Sequence, residues 1–327
     1  MTTKSDFTKN TSEMLDRARG SLIGHAIGDS FGDAARTPES HFRFGITMDF
    51  PEGPAPGTDD TEFALLTAHT MISAKGELTD KDVLQSWREH VLPLSELKRG
   101  GASEREAAAN IRRGILPPLS GSYNSHCLSD GAAMRVTPIG IVCAGDPQRA
   151  ARLAEIDAQI SHSRDGVWGS QAIAAAIAVA MVGADIDTVI RTAINTVPDD
   201  SWMRYTLTKA SSIVRECDSI EEAWMPLHAA LWTEYKAAAP EAVASAFAVL
   251  QLTGGDFRRG IIYGGNFGRD ADTIAAIVGA ISGAMRGLTQ VPDSWAQKVR
   301  TTSGICLPFT KGLDLYDIAS QLADLIH

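Results

Sequence analysis

Apolar positions recur along this chain at intervals of three and four residues rather than at every second position, which is the spacing of a helix face and not of a strand. The clearest runs are SQAIAAAIAVAMV (170–182), PEAVASAFAVLQL (240–252) and residues 273–287, where alanine is interleaved with larger aliphatic side chains. The same pattern, punctuated by Gly, Pro, Asp or Ser, predicts helices over 12–33, 60–74, 81–90, 149–160, 186–195, 202–215 and 314–326. Strand signals are nearly absent, so the expected fold class is all-α. With no linker, internal repeat or low-complexity tract in view, residues 1–327 are expected to form a single domain.

Two of the predicted helices carry glycine at every fourth position. These are Gly20, Gly24, Gly28 and Gly32 in the first, and Gly279, Gly283 and Gly287, continued backwards by Ala275, in a late one. Residues four apart share a face, so each helix presents a seam along which another backbone can approach closely. Interior glycine costs about 1 kcal/mol per residue against alanine, so helix propensity does not account for such a ladder.

Composition fits an ordinary globular chain, with 44% hydrophobic and 21% charged residues. The formal net charge of -10, without any dense Lys/Arg run, argues against a nucleic-acid partner. An anionic substrate would have to meet positive charge supplied locally, by a metal, a helix N-terminus or single arginines. Cys127, Cys143, Cys217 and Cys306 are scattered without zinc spacing and read as buried free thiols of a reducing cytosol. The polar start MTTKSDFTKNTSEM lacks the apolar core of a secretory signal, and the apolar stretch 274–285 is shorter than the ~20 residues that span a bilayer. A soluble, cytoplasmic protein of undetermined oligomeric state is expected.

The loops 50–60, 120–131 and 254–272 are rich in glycine, proline or polar residues and lead into helices. In the first, Thr58, Asp59 and Asp60 precede an apolar run. Glu62, three residues after Asp59, also fits a capping box, and acids suit a first turn. In the last, Asp270, Asp272 and Thr273 again stand at a helix start behind a glycine loop. A cap needs one such side chain; several together repel unless a cation offsets them. Oxygen-only donors suit a hard ion, Mg²⁺ or Mn²⁺, and two half-sites suggest two ions. Gly121, Gly131 and the serines between them, Ser122 included, could cradle a pyrophosphate with backbone N–H groups or be an ordinary surface loop.

The segments GHAIGDSFGDAAR (24–36), GTDDTEFAL (57–65), SDGAAMRVTPIG (129–140), SHSRDGVWGSQAIAAAIA (161–178) and GGNFGRDADTIAAIVGAISGAMRG (264–287) resemble, in order, the signature segments of the ADP-ribosylglycohydrolases. The resemblance spans most of the chain. It implies a compact orthogonal helical bundle with a pair of Mg²⁺ or Mn²⁺ ions in a cleft, cleaving the bond between the anomeric carbon of an ADP-ribosyl group and its acceptor. By position, Thr58, Asp59 and Asp60 match the family's first metal motif, and Asp270, Asp272 and Thr273 its second. Asp130 falls where relatives carry asparagine or a functional aspartate; a turn residue is the plain alternative. His162 falls where the family often has Thr-His and is a candidate to line the cleft.

Two departures bear on the substrate. Where many relatives place a metal-linked glutamate after the Gly-Asp of the first helix, this chain has Arg36, with Glu39 the nearest acid and a candidate for that role. The last motif carries Phe267, Gly268 and Arg269, from which Arg269 could meet a phosphate and Phe267 a base or sugar. Bound metals can template ribose hydroxyls and acidify a water, while Asp60, Asp130 or Glu39 orients or deprotonates it. The expected substrate is an ADP-ribosylated protein, arginine-linked by default, or an ADP-ribosyl small molecule. A glycosidase for a smaller ribosyl compound and a catalytically silent binding relative are the rival readings.

Overall fold

The computed structural model describes residues 7–8, 10–35, 46–50, 55 and 57–326. In chain order its helices are α1 (Thr11–Ala35), α2 (Asp59–Ser73), α3 (Asp80–His90), α4 (Ala102–Arg112), α5 (Leu119–Ser122), α6 (Thr137–Val142), α7 (Pro147–Ala158), α8 (Asp165–Met181), α9 (Ile186–Thr196), α10 (Trp202–Arg215), α11 (Ile220–Leu231), α12 (Ala239–Thr253), α13 (Phe257–Gly265), α14 (Ala271–Arg286), α15 (Asp293–Val299) and α16 (Leu315–Ala323). No strand occurs among the described residues; extended pairing is limited to isolated bridges, such as that between Ser129 and Ala238. The protein is all-α, as its periodicity predicts, and none of the described helices is long and apolar enough to cross a membrane.

The stretch 254–272, expected as one loop, contains α13, which starts where Asp256 accepts the amide of Arg259 at a turn after the left-handed Gly254. The short α5, α6 and α15 also escape the periodicity, as do α4 and α11. Helix α4 is short and charged, with no side-chain cap hydrogen bond, and α11 carries Pro226 in its interior. Their amphipathic faces are completed by tertiary packing that local sequence does not encode.

One cluster of buried apolar side chains runs from Phe7 to Ile326. At its centre the two glycine-bearing helices, α1 and α14, lie antiparallel in backbone contact. An added Cβ on Gly20 would sit 2.5 Å from the Gly283 carbonyl oxygen, and those on Gly24, Gly28 and Gly32 would collide with the carbonyls of Gly279, Ala275 and Ala271. The seam therefore serves one mechanical purpose. It brings the C-terminal turns of α1, with Asp29, against the N-terminal turn of α14, with Asp272 and Thr273.

Candidate metal centre

Three parts of the chain meet at the end of this seam. The N-terminal turn of α2 supplies Asp59 and Asp60, and that of α14 supplies Asp272 and Thr273 behind its N-cap, Asp270. The turn 129–135 supplies Asp130. Together with Glu104, Gly131, Met134, Tyr235, Lys236 and others they line a cavity of about 270 Å³.

Asp29 organises the floor from inside α1. Its carboxylate accepts the Thr58 amide at 2.7 Å, the Thr58 hydroxyl at 2.7 Å, the Thr61 amide at 3.1 Å and the Thr61 hydroxyl at 2.5 Å. Thr58 is thus held behind the cavity wall as the N-cap of α2, its hydroxyl oxygen accepting the Asp60 amide. Thr273 donates its hydroxyl to Asp60 Oδ1 at 2.9 Å, tying α14 to α2. Carboxylate oxygens of Asp29, Asp60 and Asp272 all lie within 4.8 Å of one another.

Like charges this close, removed from water, resist ionisation. Burial, then Asp272 and Asp29, push the Asp60 carboxyl well above the usual range. Burial, then Glu104 and Asp272, do the same to Asp59, and burial, then Asp270 and Asp272, to Asp130. Asp130 Oδ2 is buried without a hydrogen-bond partner. Asp270 is an N-cap whose side chain makes no capping hydrogen bond, unlike Asp146, Asp185, Asp256 and Asp314, each of which accepts an amide of its helix. Instead it pairs with Lys236 Nζ at 3.0 Å. A buried set of oxygen donors with raised pKa values and an orphaned carboxylate oxygen fits a hard divalent cation, which would relieve the repulsion and ionise the acids.

The wall behind Asp130 is braced by a buried guanidinium. Arg135 donates to Asp157 Oδ2 at 2.6 Å, Glu104 Oε1 at 3.3 Å, the Gly131 carbonyl at 3.2 Å and the Ser161 hydroxyl at 3.0 Å. The opposite wall, residues 232–238, is fixed by the Asp130 amide donating to the Ala237 carbonyl and the Ala239 amide to that of Leu128, both at 2.9 Å.

Several expected roles are corrected. Glu62 closes no capping box; its carboxylate accepts the Ser303 hydroxyl and the amides of Ile305, Cys306 and Leu307, anchoring that loop to α2. Arg269 meets no phosphate path, because it is ion-paired with Glu241 and donates to the Thr233 carbonyl. Phe267 is buried and stacked on His228 with ring centroids 4.2 Å apart. Neither these two nor Gly268 lines the cavity. His162 is buried behind it, between the hydroxyls of Ser129 at 2.8 Å and Ser161 at 2.7 Å, and burial together with Arg135 holds its pKa well below the ordinary value. Ser122 is exposed on α5 and donates to the Pro118 carbonyl, while Gly121 packs on the backbone of residues 159–162. Of the supposed phosphate cradle, only Gly131 and its neighbours Ser129 and Asp130 face the cavity. Glu39 lies outside the described residues.

Sequence reasoning missed Asp29, Glu104, Tyr235 and Lys236. Asp29 carried a signal, a lone acid among residues that must be buried in a glycine-seamed helix. The other three sit on segments without a motif.

Residues 10–327 match the family described as ADP-ribosylglycohydrolase. The chain is 24% identical to ADP-ribosylarginine hydrolase Tri1 of Pseudomonas putida, covering 97% of this chain and 82% of that protein. It is 26% identical to the human ADP-ribosylhydrolase ARH3, covering 86% and 89% respectively. A solved structure titled ADP-ribosylglycohydrolase-related protein complex superposes with a TM-score of 0.66 at 20% identity, over 97% of this chain and 100% of that one. With the family match running over nearly the whole chain and the fold in agreement, this protein belongs to the ADP-ribosylglycohydrolase family, enzymes that act on glycosyl bonds.

Proposed function

We propose that this chain hydrolyses the bond between ribose C1 and the acceptor of an ADP-ribosyl group, with arginine as the default acceptor and two Mg²⁺ or Mn²⁺ ions as cofactors. The observation that carries the reading is the buried, mutually repelling acid set at the facing N-termini of α2 and α14, opening into one cavity. Asp59, Asp60, Asp270, Asp272 and Thr273 would hold the ions, while Thr58, expected as a ligand, lies behind the wall with its hydroxyl on Asp29 and would position Asp60 instead. When bound, the metals template the ribose hydroxyls, stabilise negative charge and lower the pKa of a water.

The protein's own groups supply the rest. Asp130, whose buried Oδ2 has no hydrogen-bond partner, would accept a proton from the attacking water or a sugar hydroxyl once a bound cation ionises it. Thr273 fixes the orientation of Asp60 through its hydrogen bond, so that the carboxylate need not reorganise. Tyr235, partly exposed in the cavity wall, offers a ring face to the sugar or base in place of the buried Phe267. An arginine adduct leaves as a guanidine that is readily protonated by solvent, so an acid dedicated to the leaving group is dispensable for it, whereas a serine alkoxide requires one. We take residues 1–327 as one domain, because one apolar cluster underlies the whole site.

A cavity of 270 Å³ lies just under the range usual for enclosing a whole ligand, about 300–1,000 Å³. It accommodates the ribosyl end, with the ADP portion along the mouth. That size also favours the rival substrate, a small ribosyl glycoside without ADP. Release of ADP-ribose from arginine-linked and serine-linked substrates, set against release of ribose from simple ribosides, separates the readings. Faster turnover of the arginine adduct supports the proposal; turnover of the simple ribosides alone overturns it.

A further inference from the structure

The cavity is dominated by carboxylates, and of the two cations that line it Arg99 is paired with Asp33 outside the acidic set, whereas Lys236, on the wall segment 232–238, is paired within it. The segment's backbone is fixed on both sides. The amides and carbonyls of Asp130, Ala237, Leu128 and Ala239 bridge it to the acidic turn, and Arg269 with Glu241 clamps Thr233. From this fixed backbone Lys236 extends into the cavity, with Nζ 3.0 Å from Asp270 Oδ1 and its side chain 48% exposed. Asp270 is the helix N-cap that makes no capping bond, so its carboxylate is committed to the cavity. The lysine stem is long and its ammonium is a compact charge that can turn about several bonds. The ammonium therefore occupies a carboxylate oxygen that a metal ion would also take, on an arm able to move away from it.

We propose that Lys236 is an exchangeable counter-cation of the metal centre. Its ammonium holds Asp270 in the metal-free protein, yields that oxygen to an incoming divalent ion, and then stands at the mouth to receive the phosphate of an anionic substrate. The proposal rests on the reading of the acidic cavity as a metal centre that accepts a phosphorylated sugar. It gives the site an order of events. The cation that stabilises the empty acids becomes the cation that selects substrate, and a substrate lacking phosphate gains nothing from it. No covalent step is involved; one ion pair is exchanged for another.

Three measurements test it on the full-length protein. Reductive methylation, followed at Lys236 by mass spectrometry, should be slow in metal-free protein and accelerate when Mn²⁺ is added, then slow again with ADP-ribose. An ammonium that stays on Asp270 would show one rate throughout and overturn the exchange. In calorimetric titrations K236M should bind Mn²⁺ roughly two- to five-fold more tightly than wild type, the size of a partly exposed ion pair. Unchanged or weaker binding in K236M, with helicity retained, overturns the competition. The Mn²⁺-loaded K236M should bind ADP-ribose about ten-fold more weakly, the loss of one charge-assisted contact, and K236R should recover much of it. Equal ADP-ribose affinity in wild type and K236M overturns the substrate half. If wild type itself binds no ADP-ribose while the methylation and Mn²⁺ shifts appear, the ADP-ribosyl reading fails and the exchange at Asp270 stands.

Discussion

Replacing Gly28 by alanine tests the seam on which the site depends. The added Cβ would strike the Ala275 carbonyl and lie 2.5 Å from the Ala276 amide nitrogen, whereas non-bonded heavy atoms settle at about 3.5–4.0 Å. The obstacle is the backbone of α14, with no rotamer to give way, and its nearest atom, the Ala275 carbonyl oxygen, is 2.0 Å from the added Cβ, so α1 and α14 must separate by roughly 1.5 Å. Overpacking of this kind costs about 3 kcal/mol at the upper end, and alanine returns about 1 kcal/mol of helix propensity, leaving a net loss near 2 kcal/mol. Unfolding entropy of about 2.1 cal/mol/K per residue, taken over this chain, converts that to a fall in Tm of roughly 3 °C by calorimetry or circular dichroism. A second consequence separates site from scaffold. Gly28 adjoins Asp29, and Ala275 lies two residues beyond Thr273, so the separation also pulls the acids apart and weakens Mn²⁺ binding. Gly20→Ala, at the other end of the seam against Gly283 and Leu288, should lower Tm similarly while leaving Mn²⁺ affinity near wild type. A Gly28→Ala variant with undiminished Tm, or equal losses of metal affinity in both variants, would refute the reasoning.

Other outcomes follow from the same geometry. The raised carboxyls of Asp59, Asp60 and Asp130 cost the metal-free fold nothing below the ordinary pKa of 3.8, where folded and unfolded chains are both protonated, and progressively more as pH rises towards their folded values. A bound cation removes that cost, so the gain in Tm on adding Mg²⁺ or Mn²⁺ should be larger at pH 8 than at pH 5, and a gain independent of pH would count against a cation at these acids. Chelation should lower Tm while leaving the far-ultraviolet helical signal intact at 25 °C, since the apolar core is continuous without the ions; loss of helicity there contradicts this. Arg135→Met strands Glu104 and Asp157 without their buried partner and should cost about 3–5 kcal/mol, visible as a Tm lower by roughly 4–7 °C, where a change under 1 °C would show the network to be dispensable. Arg269→Met should lower Tm because it leaves the buried Glu241 unpaired; a raised KM with unchanged Tm would instead restore the phosphate-contact role.

The sequence made the helices readable where a face is continuous, as in α8, α12 and α14, and the glycine ladder correctly foretold a backbone-to-backbone seam. It also placed Asp59, Asp60, Asp130, Asp270, Asp272 and Thr273 around one cavity from two short motifs and a turn. Its errors share one cause. Chemistry-bearing residues beside a motif read as ligand contacts, yet Arg269, Phe267 and His162 have nearer partners inside the fold: Glu241, His228 and the hydroxyls of Ser129 and Ser161. Apart from Ser161, which adjoins His162, those partners lie 28 to 39 residues away in the chain, and nothing local announces them. Tyr235 and Lys236 were invisible for the converse reason. They stand on an unpatterned connection between α11 and α12 whose course is set by backbone pairing with the 128–130 turn.

The most direct test of the account is ADP-ribose release from an ADP-ribosylated arginine substrate, measured with and without Mn²⁺ or Mg²⁺, for wild type, Asp60→Asn and Asp272→Asn. Release should require the divalent ion and fall at least ~100-fold in each variant, since both remove a charged oxygen donor at the point where the ions would bind. Release that persists under chelation, or that survives both substitutions at wild-type rate, would contradict it.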